Sequence, residues 1–228
     1  MDRKGLEQAV LNLLFPPRCV LCRRLLNREQ TWLGLCSLCR WEDYRNLQPL
    51  TAEGRCSLVY VDRLQQAIYR LKYAGLSSYG AYMARWMMEE GGAWAKKQNF
   101  DLMTAVPLSD SRMRRRGYNQ AERIARELSR LCRVPYEEIL VRRRETKPQS
   151  GLGENMRWRN VKNGFEVRCA KTLAPQHICI VDDIWTTGST IRACGEALRE
   201  SWPQVRVSGW VLAGRMYEER RPENPVRA

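Results

Sequence analysis

Four apolar residues, Ile178-Cys179-Ile180-Val181, run straight into two carboxylates, Asp182 and Asp183. The chain then turns through Thr186-Thr187-Gly188-Ser189-Thr190 into a helical pattern. An unbroken apolar run of this length reads as a strand buried on both faces, as in parallel sheets covered by helices. The acids then stand at the carboxyl end of a central strand, where open α/β sheets bind ligands. Hydroxyls and backbone N–H groups at a helix start can hold a phosphate dianion, and Gly188 lets the backbone approach it closely. The carboxylates can accept hydrogen bonds from vicinal ribose hydroxyls or meet a hydrated Mg²⁺. No Lys follows Gly188, so the loop is not a Walker P-loop, and it is not G-x-G-x-x-G.

The remainder of the chain alternates in the same sense. Strand patterns fall at Ser57–Val61, Leu102–Val106, Ile139–Val141 and Val205–Leu212. Helical patterns fall at Leu64–Tyr73, Ser78–Gln98 with a break allowed at Gly91-Gly92, Gln120–Arg133 and Ile191–Ser201. This order predicts an α/β fold with a mostly parallel sheet flanked by helices. A chain of 228 residues has room for one such domain and a small module. The division expected is 1–55, an N-terminal amphipathic helix over Gly5–Phe15 plus a cysteine module, and 56–228, the α/β domain.

Two pairs, Cys19-x-x-Cys22 and Cys36-x-x-Cys39, are separated by thirteen residues. Each pair can grip one tetrahedral ion from a tight turn, and a soft four-sulfur shell selects Zn²⁺. Four protein ligands leave no open position, so the zinc would be structural. Cys56, Cys132, Cys169, Cys179 and Cys194 lack such spacing and read as core or neutral positions.

The net charge is +14, with 39 Lys or Arg against 25 Asp or Glu. Between Arg112 and Lys171 stand 17 basic residues against 7 Glu, so the excess is concentrated there. Arg112, Arg114, Arg115 and Arg116 precede Gly117-Tyr118-Asn119-Gln120. Arg123, Arg126, Arg130 and Arg133 then follow one stripe of the next helix. Such a surface favours anionic partners, and single-stranded nucleic acid is one of them. The single histidine, His177, excludes chemistry that needs several imidazoles. No stretch reaches the ~20 apolar residues of a membrane span, and Met1–Phe15 lacks a signal-peptide pattern. The protein is therefore expected in the cytoplasm, free or peripheral at the inner face of the membrane.

The stretch from His177 to Thr190 resembles the 5-phosphoribosyl-1-pyrophosphate (PRPP) motif of type I phosphoribosyltransferases. The resemblance implies that Asp182 and Asp183 bind the ribose hydroxyls, and that Thr186, Thr187, Gly188, Ser189 and Thr190 cradle the 5′-phosphate. The order of motifs narrows it. Val106-Pro107-Leu108 is followed by Arg-Met-Arg-Arg-Arg-Gly-Tyr-Asn-Gln120, then Arg144-x-Thr-x-x-Gln149-x-x-Leu152, then Arg157-x-x-Asn160-Val161. With the cysteine module in front, the chain resembles the ComF family, zinc-ribbon proteins with a type I phosphoribosyltransferase domain tied to natural competence. By that resemblance Val106, Pro107, Leu108 and Ser109 form the pyrophosphate loop. Arg144 to Asn160 would be a flap closing over PRPP, with Arg144, Gln149 and Arg157 as candidate catalytic residues. Many relatives carry a second cysteine ribbon, and here only Cys56 stands in that region. In 6-oxopurine members an acid stands at the position of Thr186, so purine chemistry is not implied.

Besides a PRPP sensor or scaffold with neither DNA nor catalysis, two readings stay open at this point. One is a DNA-uptake protein with PRPP or a nucleotide in its pocket. Single-stranded DNA would lie on Arg112, Arg114, Arg115, Arg116, Arg123, Arg126 and Arg130, and a helicase-like competence protein would be a partner. The other is an active Mg²⁺-dependent phosphoribosyltransferase transferring the 5-phosphoribosyl group to an acceptor that the residues do not name.

Overall fold

The computed structural model describes residues 16–27, 29–45, 54–143, 164–168 and 175–214. The expected helix at Gly5–Phe15, the flap with Arg144, Gln149 and Arg157, and Cys169 all lie outside them. Two short 3-10 turns, Glu29–Thr31 and Glu42–Tyr44, belong to the cysteine module. The body comprises β1 (Gly54–Val59), α1 (Asp62–Tyr73), α2 (Tyr79–Gln98), β2 (Leu102–Ala105), α3 (Asp110–Arg116) and α4 (Gln120–Cys132). It continues through β3 (Leu140–Arg142), β4 (Phe165–Val167), β5 (His177–Trp185), α5 (Ser189–Ser201) and β6 (Arg206–Gly214).

Four strands form a parallel sheet in the order β1-β6-β5-β2. The apolar run thus becomes an interior strand, as its composition requires. Alternation sends its side chains to two different cores. Cys179 and Val181 join Met103, Trp210 and Leu212 under α1, α2 and α4. Ile178 and Ile180 join Leu102 and Val211 under α5, together with Ile139, Leu140 and Phe165 from the β3–β4 antiparallel pair. The α/β architecture with a mainly parallel sheet flanked by helices is as expected.

Three local departures have physical causes. First, α2 is continuous through Gly91-Gly92. A Cβ at Gly91 would stand 2.9 Å from the Trp210 indole, so that glycine permits close packing of the helix on the sheet. Second, α3 forms where arginines stood without an apolar stripe to announce them, and Gly117 closes it at φ +77°. Third, β5 extends past its apolar run to Trp185. Pairing with β6 continues at Asp182↔Val211, Ile184↔Ala213 and Trp185↔Gly214, whereas β2 stops at Ala105↔Val181.

The cysteine knuckles share one core with the helices. Val20, Leu21, Leu35 and Trp41 are buried with Leu64, Ile68, Leu71, Met83 and Trp86. Arg70 of α1 donates to the carbonyls of Val20 (2.7 Å) and Leu21 (3.0 Å). Arg23 donates to the Tyr79 hydroxyl at 2.6 Å, and the Trp86 indole donates to Leu33 O at 2.8 Å. The Arg70 and Trp86 bonds satisfy loop carbonyls that burial would otherwise leave unpaired.

Candidate ligand pocket and metal centre

Where β2 ends and β5 runs on, a notch opens beside the acid pair. Strand alternation divides the two carboxylates. Asp183 falls on the α1 face, where its Oδ2 lies 2.6 Å from Lys72 Nζ. Asp182 falls on the α5 face, and its Oδ1 accepts from the Asp183 backbone N–H at 2.8 Å. Burial, and then the neighbouring Asp183 charge, push the Asp182 carboxyl up to about 8. The site thus holds one carboxylate neutralised by an ammonium and one that retains its proton near neutrality. A polyhydroxylated ligand or a hydrated cation replacing that proton would restore the second charge.

After β5 the chain turns at Gly188, which has φ +73° and stands at the start of α5. A Cβ there would lie 2.6 Å from the Trp185 indole, so both the backbone angle and the space demand glycine. Thr187 Oγ donates to Ser189 Oγ at 3.0 Å. Thr186 and Thr187 are exposed, Thr187 Oγ accepts from the Ser189 backbone N–H at 3.4 Å, and Ser189 and Thr190 begin the helix, whose first turn has no intrahelical acceptors for its N–H groups. Hydroxyls, amides and the positive end of α5 converge as anion binding requires.

The opposite lip is Val106–Ser109. Val106 N donates to Val181 O at 2.9 Å, which docks this turn directly on the end of β5. Asn119 locks it from outside. Its Nδ2 donates to Val106 O at 2.9 Å, while its Oδ1 caps α4 by accepting from Ala121 N at 3.0 Å. Tyr118 donates its hydroxyl to Leu71 O at the end of α1. The Gly117–Asn119 turn therefore ties together the lip, α4 and the helix that carries Lys72.

Lys72 was absent from the candidate residues drawn from the sequence. Its signal was present in the helical spacing. Leu64, Ile68, Leu71 and Lys72 follow i, i+4, i+7, i+8, which puts a lysine on the buried face of α1. A cation in that register needs a buried anion as partner.

The four cysteine sulfurs of Cys19, Cys22, Cys36 and Cys39 lie within 4.8 Å of one another. Burial opposes ionisation of Cys19, but backbone N–H groups of Cys22, Cys36 and Leu21 outweigh it and bring that thiol to about 7. Burial and the neighbouring thiols push Cys39 up to about 12 and raise Cys22. Four negative sulfurs therefore do not coexist here without a cation to hold them. Arg63 Nη1 lies 3.7 Å from Cys39 Sγ and offsets part of the charge. The donor set, its softness and its closeness fit a tetrahedral divalent ion such as zinc. Cys179 and Cys194 are buried core positions, as expected.

The basic residues divide into two groups. On α4, Arg126 pairs with Glu122 (2.8 Å) and Glu138 (2.6 Å), and Arg130 pairs with Glu127 (2.9 Å). On α3, Arg112, Arg114 and Arg115 are exposed, and none of them forms an ion pair among the described residues. Arg116 is half-buried and donates to the Tyr73 hydroxyl at 3.0 Å. His177 is buried, with Nδ1 2.9 Å from Gln98 O and Nε2 3.0 Å from Ser208 Oγ, so it belongs to the packing of the sheet. No helix among the described residues is long and apolar enough to cross a membrane.

No family model matches the chain. Curated relatives do. The chain is 30% identical over 190 residues to the DNA utilization protein YhgH of Escherichia coli (strain K12), covering 79% of this chain and 83% of that protein. It is 39% identical over 110 residues to Competence protein F of Haemophilus influenzae (strain ATCC 51907 / DSM 11121 / KW20 / Rd), covering 47% of this chain and 48% of that one. It is 23% identical over 196 residues to Competence protein ComFC of Bacillus subtilis (strain 168), covering 85% and 76%.

Proposed function

The chain belongs to the ComF family, and from that premise we propose a protein of DNA utilization or competence that binds PRPP or a nucleotide in the β5 notch and single-stranded DNA on its basic face. The observation that carries the pocket is the pair Asp182 and Asp183 beside a glycine-started helix, at the one edge where β5 outruns β2. Asp182 and Asp183 would take the ribose hydroxyls, and Thr186 to Thr190 the 5′-phosphate. The Val106–Ser109 lip would take the pyrophosphate. Mg²⁺, if it enters with PRPP, would offset the pyrophosphate charge. Zn²⁺ on Cys19, Cys22, Cys36 and Cys39 would brace the N-terminal module against α1 and α2. Arg112, Arg114, Arg115, Arg116, Arg123, Arg126 and Arg130 lie on the exposed or half-exposed surface of α3 and α4 that would face the DNA.

An active phosphoribosyltransferase is the second reading, favoured by the intact acid pair and loop. The two are separated by measuring PRPP binding calorimetrically, and pyrophosphate release with Mg²⁺, across a panel of bases and ammonia. The control is the Asp182→Asn, Asp183→Asn chain. Binding without release, lost in the control, supports a binding or regulatory pocket. Release that depends on an acceptor names an enzyme and its substrate. No binding by the parent chain removes the pocket assignment.

A further inference from the structure

The α1 helix ends on two exposed aromatic rings. Tyr69 is 63% exposed and Tyr73 48%. Their ring centroids lie 4.8 Å apart at an interplanar angle of 46°. Residues i and i+4 of a helix meet this way, but two tyrosines left facing water at such spacing bury little of their apolar area. They are not held there by a core. Tyr73 is held by arginines, and Tyr69 meets only the Tyr73 ring among the ring contacts of the described residues. Arg116 Nη2 donates to the Tyr73 hydroxyl at 3.0 Å, and its Cζ stands 4.8 Å from that ring's centroid. Arg115 Cζ stands 5.8 Å from the same ring. Arg112 and Arg114 continue the positive charge outward along α3.

We propose that Tyr69 and Tyr73, with Arg112, Arg114, Arg115 and Arg116, form a stacking platform for unpaired nucleobases, the phosphates of the same strand running along α3. This rests on the single-stranded DNA reading above and gives it a location. Exposed aromatic faces beside a run of guanidinium groups are the two halves of single-strand recognition: stacking, which any base can supply, and phosphate contact. A duplex offers phosphates but no free base faces, so it would use only the second half. The α4 arginines are less available for phosphate because Arg126 and Arg130 already meet Glu122, Glu127 and Glu138. On α1, Lys72 turns inward to Asp183 while Tyr69 and Tyr73 stay exposed, so one helix carries both the site's cation and the two rings.

The test is fluorescence anisotropy with a labelled 20-mer of thymidylate, an abasic deoxyribose-phosphate 20-mer and a 20-base-pair duplex. Tyr69→Leu with Tyr73→Leu keeps side-chain bulk but removes the rings. It should weaken thymidylate binding by about five- to 150-fold and leave the abasic strand unchanged. Tyr69→Phe with Tyr73→Phe should retain most of the affinity. Arg112→Gln with Arg114→Gln should reduce the slope of log K against log salt by about 1.4, the loss of two phosphate contacts on a single strand. Unchanged thymidylate affinity in the leucine variant would overturn the platform while leaving single-strand binding in place. Duplex binding as tight as thymidylate binding would also overturn it. Failure of the parent chain to bind thymidylate at all would remove the DNA reading itself.

Discussion

Lys72 Nζ lies 2.6 Å from Asp183 Oδ2, with both side chains less than one-fifth exposed, and this pair joins α1 to the end of β5. Without Lys72 two adjacent carboxylates would share a confined site with no cation among the described groups that contact them. With it, Asp183 has a cation beside it, while burial, and then the Asp183 charge, keep the proton on Asp182.

Replacing Lys72 by Met should therefore destabilise the protein by about 3 kcal/mol at pH 8, because a buried charge loses its partner. The loss should shrink at pH 5, where the acid pair can take up a proton instead. Urea denaturation at the two pH values checks this. Equal losses at both would mean that the lysine contributes packing rather than charge.

Asp182 gives a second pH effect, with its sign fixed by linkage. Its carboxyl is raised in the folded state from an ordinary value near 4 to about 8. Between these values the folded chain holds a proton that the unfolded chain releases. This contribution to stability is full below pH 4, declines as pH rises and is gone above about 8. Asp182→Asn removes the decline. The variant should gain on the parent progressively from pH 5 to pH 8, read as the difference in denaturation midpoints. A constant difference across that range would contradict the buried, protonated carboxyl.

The cysteine centre makes a prediction about protons. Cys39 is held protonated near neutrality and Cys22 is raised, while Cys19 ionises near 7. Zinc binding at pH 7 should then release at least two protons per ion, one each from Cys22 and Cys39, since ligating sulfur must be thiolate. Calorimetry in buffers of different ionisation enthalpy counts them. Because Arg70 ties the Val20 and Leu21 carbonyls to α1, chelation should also lower the melting temperature of the whole chain. Release of one proton or fewer would indicate that the thiolates form without metal.

Much of this arrangement was legible in the residues. The apolar run of β5 becomes an interior strand ending in its acids, and Gly188 starts the next helix, because burial on both faces and a left-handed turn leave few alternatives. The Cys-x-x-Cys spacing brings four sulfurs together for a similarly local reason. Other features depend on contacts between distant segments. Nothing near Gly91 announces Trp210, more than a hundred residues later, yet that indole is why the helix tolerates the glycine. The extension of β5 through Asp182 and Asp183 follows from β6, whose pairing holds two acids in a strand that composition would end sooner. The arginines of α3 and α4 looked alike as charges. Only packing shows that Arg126 and Arg130 meet carboxylates and that Arg116 meets Tyr73.

Gly188 offers a test of the proposed phosphate loop that separates backbone strain from steric fit. Its φ of +73° costs an alanine about 1–2 kcal/mol, and a Cβ would meet the Trp185 indole at 2.6 Å. Asparagine tolerates the angle better but carries the same Cβ. If angle alone governed the loop, Gly188→Asn would be much milder than Gly188→Ala. The contact with Trp185 predicts that both variants lose stability and PRPP affinity to a similar degree. It also predicts partial rescue of Gly188→Ala by Trp185→Leu, which vacates the space, so that a double-mutant cycle shows coupling between the two positions. Additive losses in that cycle would mean that the indole yields freely, and that the left-handed turn alone shapes the loop.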